Sequence, residues 1–138
     1  MPASTTPIFV TRPNVRSSNT ITASNTTKDM TSGTLNHLFA SNTTNGSFID
    51  HVRAKPLGTN IASVGRIFFN NGGATTNAVN NSLITEISLP ATTLSEVAAL
   101  VDMVVPLKLA LPPAANMFVT IGTTVAAGWV FTSVGGDY

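Results

Sequence analysis

Between Val101 and Leu111 every odd position carries a bulky apolar side chain, from Val101, Met103 and Val105 to Leu107, Leu109 and Leu111, while Asp102 and Lys108 fall on even ones. A period of two places one set of side chains on a single face of an extended strand, and that face needs a second layer to cover it. The alternation recurs at Ser82–Leu89, Met117–Thr123 and Trp129–Val134, and further extended segments are expected at Thr20–Ser24, Thr34–Phe39, Phe48–Arg53 and Ile61–Phe69. Between them lie joints with a chemical reason to turn: Asn45-Gly46, Gly58-Thr59-Asn60, Asn70-Asn71-Gly72-Gly73, Leu89-Pro90, Pro112-Pro113 and Ala127-Gly128. Gly and Asn tolerate positive φ there, and Pro has φ already set. Short strands separated by turns predict an all-β fold, an antiparallel β-sandwich or barrel of jelly-roll type.

Pro106 interrupts the strongest strand, and proline removes a backbone donor. Either that stretch lies at a sheet edge or the strand bends at a bulge near Val105 and Pro106. The bend is the expectation, because so long a strand exceeds the usual five or six residues or so, and a corner lets one strand serve both sheets. Only Thr92–Ala99 suggests a helix, with Thr93 as cap and Glu96 three residues later; a loop fits those residues equally well.

Residues 1–18 have no sustained period and carry Pro2, Pro7 and Pro13. They are expected to form an extended N-terminal arm whose apolar cluster, Ile8, Phe9 and Val10, lies on its own domain or on a neighbour. Residues 19–138 then form a single β-sandwich domain, since 138 residues support one core and not two.

Charged residues are only 9 % of the chain, against roughly 25 % in an ordinary soluble domain. Polarity comes instead from 13 Asn and 21 Thr, about a quarter of the sequence; Thr suits a pleated, half-exposed surface and Asn suits turns. Such a nearly neutral surface permits association and favours life inside an assembly, as a homo-oligomer. A net charge of +1 lacks the basic excess of a nucleic-acid binder. No apolar run reaches the ~18 to 20 residues of a membrane span, and no basic start followed by an apolar run marks a secretory signal. No nucleic-acid or membrane partner is therefore expected.

Catalytic equipment is sparse. Without cysteine there is no disulfide framework, thiolate metal site or Cys nucleophile. His37 and His51 are the only histidines, neither in a nucleophile context, and Asp50 is expected on the strand face opposite His51. No metal-ligand spacing occurs, and Asn70-Asn71-Gly72-Gly73 lacks the Gly-Lys-Ser/Thr ending of a phosphate loop. Glu86 with Glu96 or Asp102 is the one carboxylate pairing formally open to a glycosidase. No catalytic residue, metal ligand or cofactor is assigned. Arg12, Arg16, Arg53, Lys55 and Arg66 form a basic patch if the arm folds back, or pair with Asp29, Asp50 and Glu86. Trp129 alternates with Phe131 and is expected in the core or a subunit interface; Tyr138 is expected as a tucked anchor on its own domain or the adjacent protomer.

The segment from Phe118 through Gly122 and Trp129 to Tyr138 resembles the ending of a family of small virion proteins of tailed bacteriophages. The resemblance continues through Val104–Pro112, Val64–Phe69 and Pro7-Ile8-Phe9, as a shared β-pattern with shared turns. Some members are head decoration, or cement, proteins. What the resemblance implies is a structural protein on the outer surface of the capsid, assembled in the host cytoplasm. It would bind the major capsid protein at capsomer junctions, often as trimers at local threefold positions. Ile8, Phe9 and Val10 would then anchor the arm, and Arg12 or Arg16 would meet acidic capsid surface. The alternative is a tail-associated or receptor-binding β-domain that contacts a host glycan through Trp129 and the Thr/Asn surface.

Overall fold

The computed structural model describes residues 10–138. Among them eight strands form: β1 (Arg12–Ser17), β2 (Asn36–Ala40), β3 (Ser47–Pro56), β4 (Ser63–Asn70), β5 (Asn81–Leu89), β6 (Met103–Leu111), β7 (Asn116–Ile121) and β8 (Trp129–Asp137). They make two four-stranded antiparallel sheets, ordered β1-β8-β3-β6 (sheet A) and β2-β7-β4-β5 (sheet B). The fold is all-β and consistent with the expected sandwich. A three-residue 3-10 turn at Ala78–Asn80 is the only helical element among the described residues.

Alternating side chains from both sheets meet in one core. Ile49, Val52, Ala54, Trp129 and Phe131 come from sheet A, and Phe39, Ile67, Met117, Val119 and Ile121 from sheet B, all of them completely buried. The faces interlock closely: the Phe131 ring lies over Gly65, where an added Cβ would sit 3.2 Å from it. Burying a side chain of this kind is worth roughly 1.5–3 kcal/mol, which is the driving force for the two-layer arrangement.

Three irregularities re-aim residues that strict alternation misplaces. β3 has a register shift between Ile49 and His51, so Ile49 and Val52 both face the core although they are three apart. A second shift lets Leu38 and Phe39, adjacent in β2, both be buried. The third, between Ile67 and Phe68, leaves Ile84 of β5 unpaired and 40 % exposed. Bulges bend and twist a strand locally, which a closed core between twisted sheets requires.

Pro106 sits in an edge strand. β6 pairs only with β3, and its inward residues Met103, Val105, Leu107 and Leu109 are half-buried against the core. The irregularity falls at Leu107 and Lys108, which together oppose Asp50, and Lys108 takes φ 50°. The expected corner between sheets is thus absent: an edge strand has spare donors, so proline is tolerated without a change of sheet. Val101 and Asp102 lie before the strand, not in it.

Thr20–Ser24 is not a strand. Ile21 bridges Trp129 in sheet A and Ser24 bridges Ile121 in sheet B. A segment that crosses from one sheet to the other within four residues has no length to build a ladder on either. Thr92–Ala99 is a loop, not a helix. Thr92 exchanges two backbone hydrogen bonds with Asn60 (3.0 and 2.9 Å), and the Thr59 hydroxyl accepts from the Leu94 N–H (3.0 Å). These partners hold the residues that would open a helix in extended positions.

The stretch assigned to the arm includes β1, which pairs residue by residue with β8 from Arg12↔Asp137 to Ser17↔Thr132. From position 12 onward the chain is therefore an edge strand of sheet A.

Candidate functional site

Sheet A has two ends with different chemistry. At one end Arg12, Asp137, Ser47 and Leu111 lie in a row across β1, β8, β3 and β6. At the other, Pro56 pairs with Trp129 and Ala54 with Met103. The chain enters at the first end; the 91–102 loop closes the second.

The entry end is polar and bonded to itself. A hollow of about 310 Å³ is lined by Thr11, Arg12, Asn42, Thr44, Asn45, Asp137 and Tyr138. The Asp137 carboxylate accepts from the Ser47 hydroxyl and the Asn14 amide (2.8 Å), while its carbonyl accepts from the Thr11 N–H (2.7 Å). In the Ser41–Gly46 turn the Asn42 side chain accepts from the N–H groups of Thr44 and Asn45. Gly46 takes φ 80° there; a side chain would meet the Leu111 carbonyl at 2.3 Å.

The loop end is hinged on Asn60, which is 3 % exposed. Its side-chain oxygen accepts from the N–H groups of Ala127 and Gly128, both at 2.9 Å, and its amide donates to the Gly128 carbonyl at 3.1 Å. The Asn60 side chain thus ties its own joint to Ala127-Gly128, while its backbone bonds with Thr92, together with the Thr92 hydroxyl donating to the Gly58 carbonyl (2.7 Å), tie in the 91–102 loop. Beyond the hinge the surface is apolar: Leu57, Ile61, Leu94, Val97, Val101 and Val104 are all exposed, Val97 at 97 %. The loop is held at its far end by Arg53, paired with Asp102, and by Lys55, whose ammonium donates to the Leu100 carbonyl (2.7 Å). Beside it a hollow of about 440 Å³ is lined by Thr59, Asn60, Ile61, Thr124, Val125 and Ala126.

Ile8 and Phe9 of the expected arm cluster lie outside the described residues. Val10 is exposed and its side chain lies over Gly136. Arg12 and Arg16 are exposed on one side of β1, flanking Asn14, with the Arg16 guanidinium donating to the Asn14 side-chain oxygen at 3.0 Å. Trp129 is wholly enclosed in the core. Tyr138 is half-buried and tied to its own domain through its backbone, its N–H donating to the Gly46 carbonyl (3.2 Å) and its carbonyl accepting from the Asn45 amide (3.3 Å).

His51 corrects a sequence expectation. Asp50 does orient that ring, at 2.7 Å from Nδ1, because the bulge at Asp50 breaks the alternation that would have separated them. The other carboxylate oxygen receives the Lys108 ammonium, and Lys108 first, His51 second, hold the Asp50 carboxyl below its ordinary range. His37 is exposed, bonded to Asn116 (3.0 Å) and edge-on to Phe118. Arg66 pairs with Glu86 across β4 and β5 (2.8 Å) and lowers its carboxyl, while Glu96 sits in the loop and Asp102 pairs with Arg53. Glu86 is thus on the outer face of sheet B and Asp102 beside sheet A, so the two do not face one cleft. No group of three His, Cys, Asp or Glu side chains among the described residues is placed to hold a metal ion.

Two features escaped the sequence reading. Turn chemistry predicts that Asn60 acts through its backbone, yet none of the non-glycine residues at positive φ among the described residues, Met30, Lys108 and Ala114, is an asparagine. The asparagines act through their amides, as at Asn25, Asn42, Asn60 and Asn70. The other is the apolar loop end; its signal is the cluster of Leu94, Val97, Ala98, Ala99 and Leu100, which no alternating strand absorbs. No family model, curated protein or solved structure matches the chain.

Proposed function

We propose that this is a structural virion protein that decorates a phage head and cements it by binding the major capsid protein at capsomer junctions, without catalysis. The observation that carries this reading is the division of the sandwich into a polar entry end, where the edge strand β1 begins, and an apolar loop end. A protein whose work is adhesion needs separate surfaces for separate neighbours, on a rigid body that does not deform between them. The resemblance noted at Phe118–Tyr138, Val104–Pro112 and Val64–Phe69 supports the same reading, and it also implies trimers at local threefold positions.

In that role residues 1–11 act as a strap. Ile8, Phe9 and Val10 supply apolar anchors, and Arg12 and Arg16, exposed on one side of β1, meet acidic capsid surface. An extended segment continuing from an edge strand can add main-chain hydrogen bonds to a partner's sheet. Many weak contacts repeated over a shell give avidity without a single dominant anchor. A glycan-binding role at the tail is less well supported, because Trp129, the aromatic that would serve as sugar platform, lies inside the core.

The test is imaging of the particle that carries this chain. Symmetric density on the outer capsid surface at many copies is expected, together with a lower temperature of head rupture in particles that lack the protein. Density at the tail tip alone would overturn the proposal.

A further inference from the structure

Water is a poor neighbour for the loop end. Val97 is 97 % exposed, Leu94 54 % and Val101 39 %, in a chain whose surface is otherwise dominated by Thr, Asn and Ser. Several exposed apolar side chains on one loop mark an interaction site more often than an accident of composition. Two properties of this patch say what covers it.

The first is shape. Leu94 and Val97 project from the loop, and the hollow floored by Ile61 and Val125 opens directly beside them, joined through the Thr59 hydroxyl that accepts from the Leu94 N–H. A knob and an apolar hollow side by side on one surface are what a second copy of the same chain also brings, so each can fill the other's hollow. The second is charge. Neither Glu96, in the loop, nor Lys55, at its foot, makes an ion pair among the described residues; the Lys55 ammonium donates to the Leu100 carbonyl. One acid and one base flank the same patch, each with its charge uncompensated by an opposite charge, and a second copy offers each its complement.

We infer that the 91–104 end of the sandwich is a self-association surface, on which Leu94 and Val97 of one copy enter the Ile61/Val125 hollow of another while Glu96 of each copy faces Lys55 of the other. The contact closes as a two-fold pair or, repeated head to tail, as a small ring. It does not depend on attachment to a capsid. β1 begins at the opposite end of sheet A, with Arg12 beside Asp137, so a contact there and one at the loop end can be occupied together.

Sedimentation and light scattering of the full chain over a concentration series test this. The wild type is expected to reach an integral multiple of the monomer mass, and Val97→Asp to associate roughly tenfold or more weakly, since it would bury a carboxylate in an apolar contact. Val97 touches so little of its own domain that the melting temperature of the dilute monomer should stay unchanged, which separates lost association from lost folding. Lys55→Glu and Glu96→Lys are each expected to weaken association several-fold, and the double charge swap to restore most of it. A wild type that stays monomeric up to about 1 mM would overturn the inference. So would a Val97→Asp chain that assembles as tightly as the wild type, or a charge swap that rescues nothing. If Val97→Asp instead abolished capsid attachment by a monomeric wild type, the patch would belong to the capsid contact and the inference would fail, while the proposed function would stand.

Discussion

The two ends of sheet A solve the problem of closing a sandwich in opposite ways. At the entry end, backbone and side-chain donors from Thr11, Asn14, Asn42 and Ser47 are absorbed by acceptors of the same chain, Asp137 above all and the Ser47 hydroxyl for Asn42. At the loop end one buried residue, Asn60, holds Ala127 and Gly128 through its side chain and Thr92 through its backbone, and the residues beyond it leave apolar side chains in solvent. A polar end bonded to itself needs no neighbour to be stable. An apolar end that is rigid at its base but uncovered at its tip is stable alone and more stable when covered. Internal bonding and exposed apolar surface thereby fall to different residues of the loop end.

Mutations inside and outside the hinge should separate those two properties most sharply. Trp129→Ala empties the largest side chain from the core beneath the loop end and is expected to cost about 4 kcal/mol in chemical denaturation, against less than about 0.5 kcal/mol for Val97→Ala. Similar losses for the two would erase the distinction. Asn60→Ala comes next: it strips the acceptor from the Ala127 and Gly128 N–H groups at a buried site and should cost about 2–3 kcal/mol. Amide exchange should then quicken at Gly128 and Thr92 before it quickens at the Ser41–Gly46 turn.

The entry end should prove more tolerant because its bonds are many and partly solvated. Asp137→Ala is expected to cost about 1–2 kcal/mol and to loosen β1, seen as faster amide exchange at Thr11. A loss as large as that of Asn60→Ala would mean that this end, too, depends on one group.

The smallest effect is electrostatic and belongs to neither end. Lys108 and His51 lower the Asp50 carboxyl, Arg66 lowers that of Glu86, and hydrogen bonds from Thr31 lower that of Asp29. A depressed carboxyl lends stability that is present above its unfolded pKa and is lost as pH falls through the folded one. Stability should therefore decline on acidification from about pH 4 downward. These carboxylates are exposed, so the slope is shallow. The pair Asp50→Asn and Glu86→Gln should flatten it further, and an unchanged slope would assign the acid sensitivity elsewhere.

Much of the architecture is legible in the amino-acid sequence. Alternation at Ser82–Leu89, Met117–Thr123 and Trp129–Val134 corresponds to β5, β7 and β8 within a few residues at each end. β1 went unread because Pro13 and its flanking arginines leave no apolar period in it; the strand exists because β8 offers it a free edge. Ile21 looked like part of a strand because it is apolar and flanked by Thr, although its neighbours are divided between two sheets. Of the candidate contact residues, Arg12 and Arg16 were marked by charge alone, whereas Leu94 and Val97 could not be, since nothing local separates an uncovered Leu or Val from one in the core.

What the amino-acid order determined by itself is the class of fold. A two-residue period is a property of the backbone and of neighbouring side chains, and it demands two layers wherever the apolar face is continuous. The tertiary structure alone decided which strands lie at edges, that Pro106 is tolerated without a change of sheet, that Asp50 reaches His51, and that Asn60 governs the loop end. Each of those depends on residues far apart in the chain meeting across a sheet or between sheets. Pairing energies of that kind are summed over the whole core and are not carried by any short stretch of sequence.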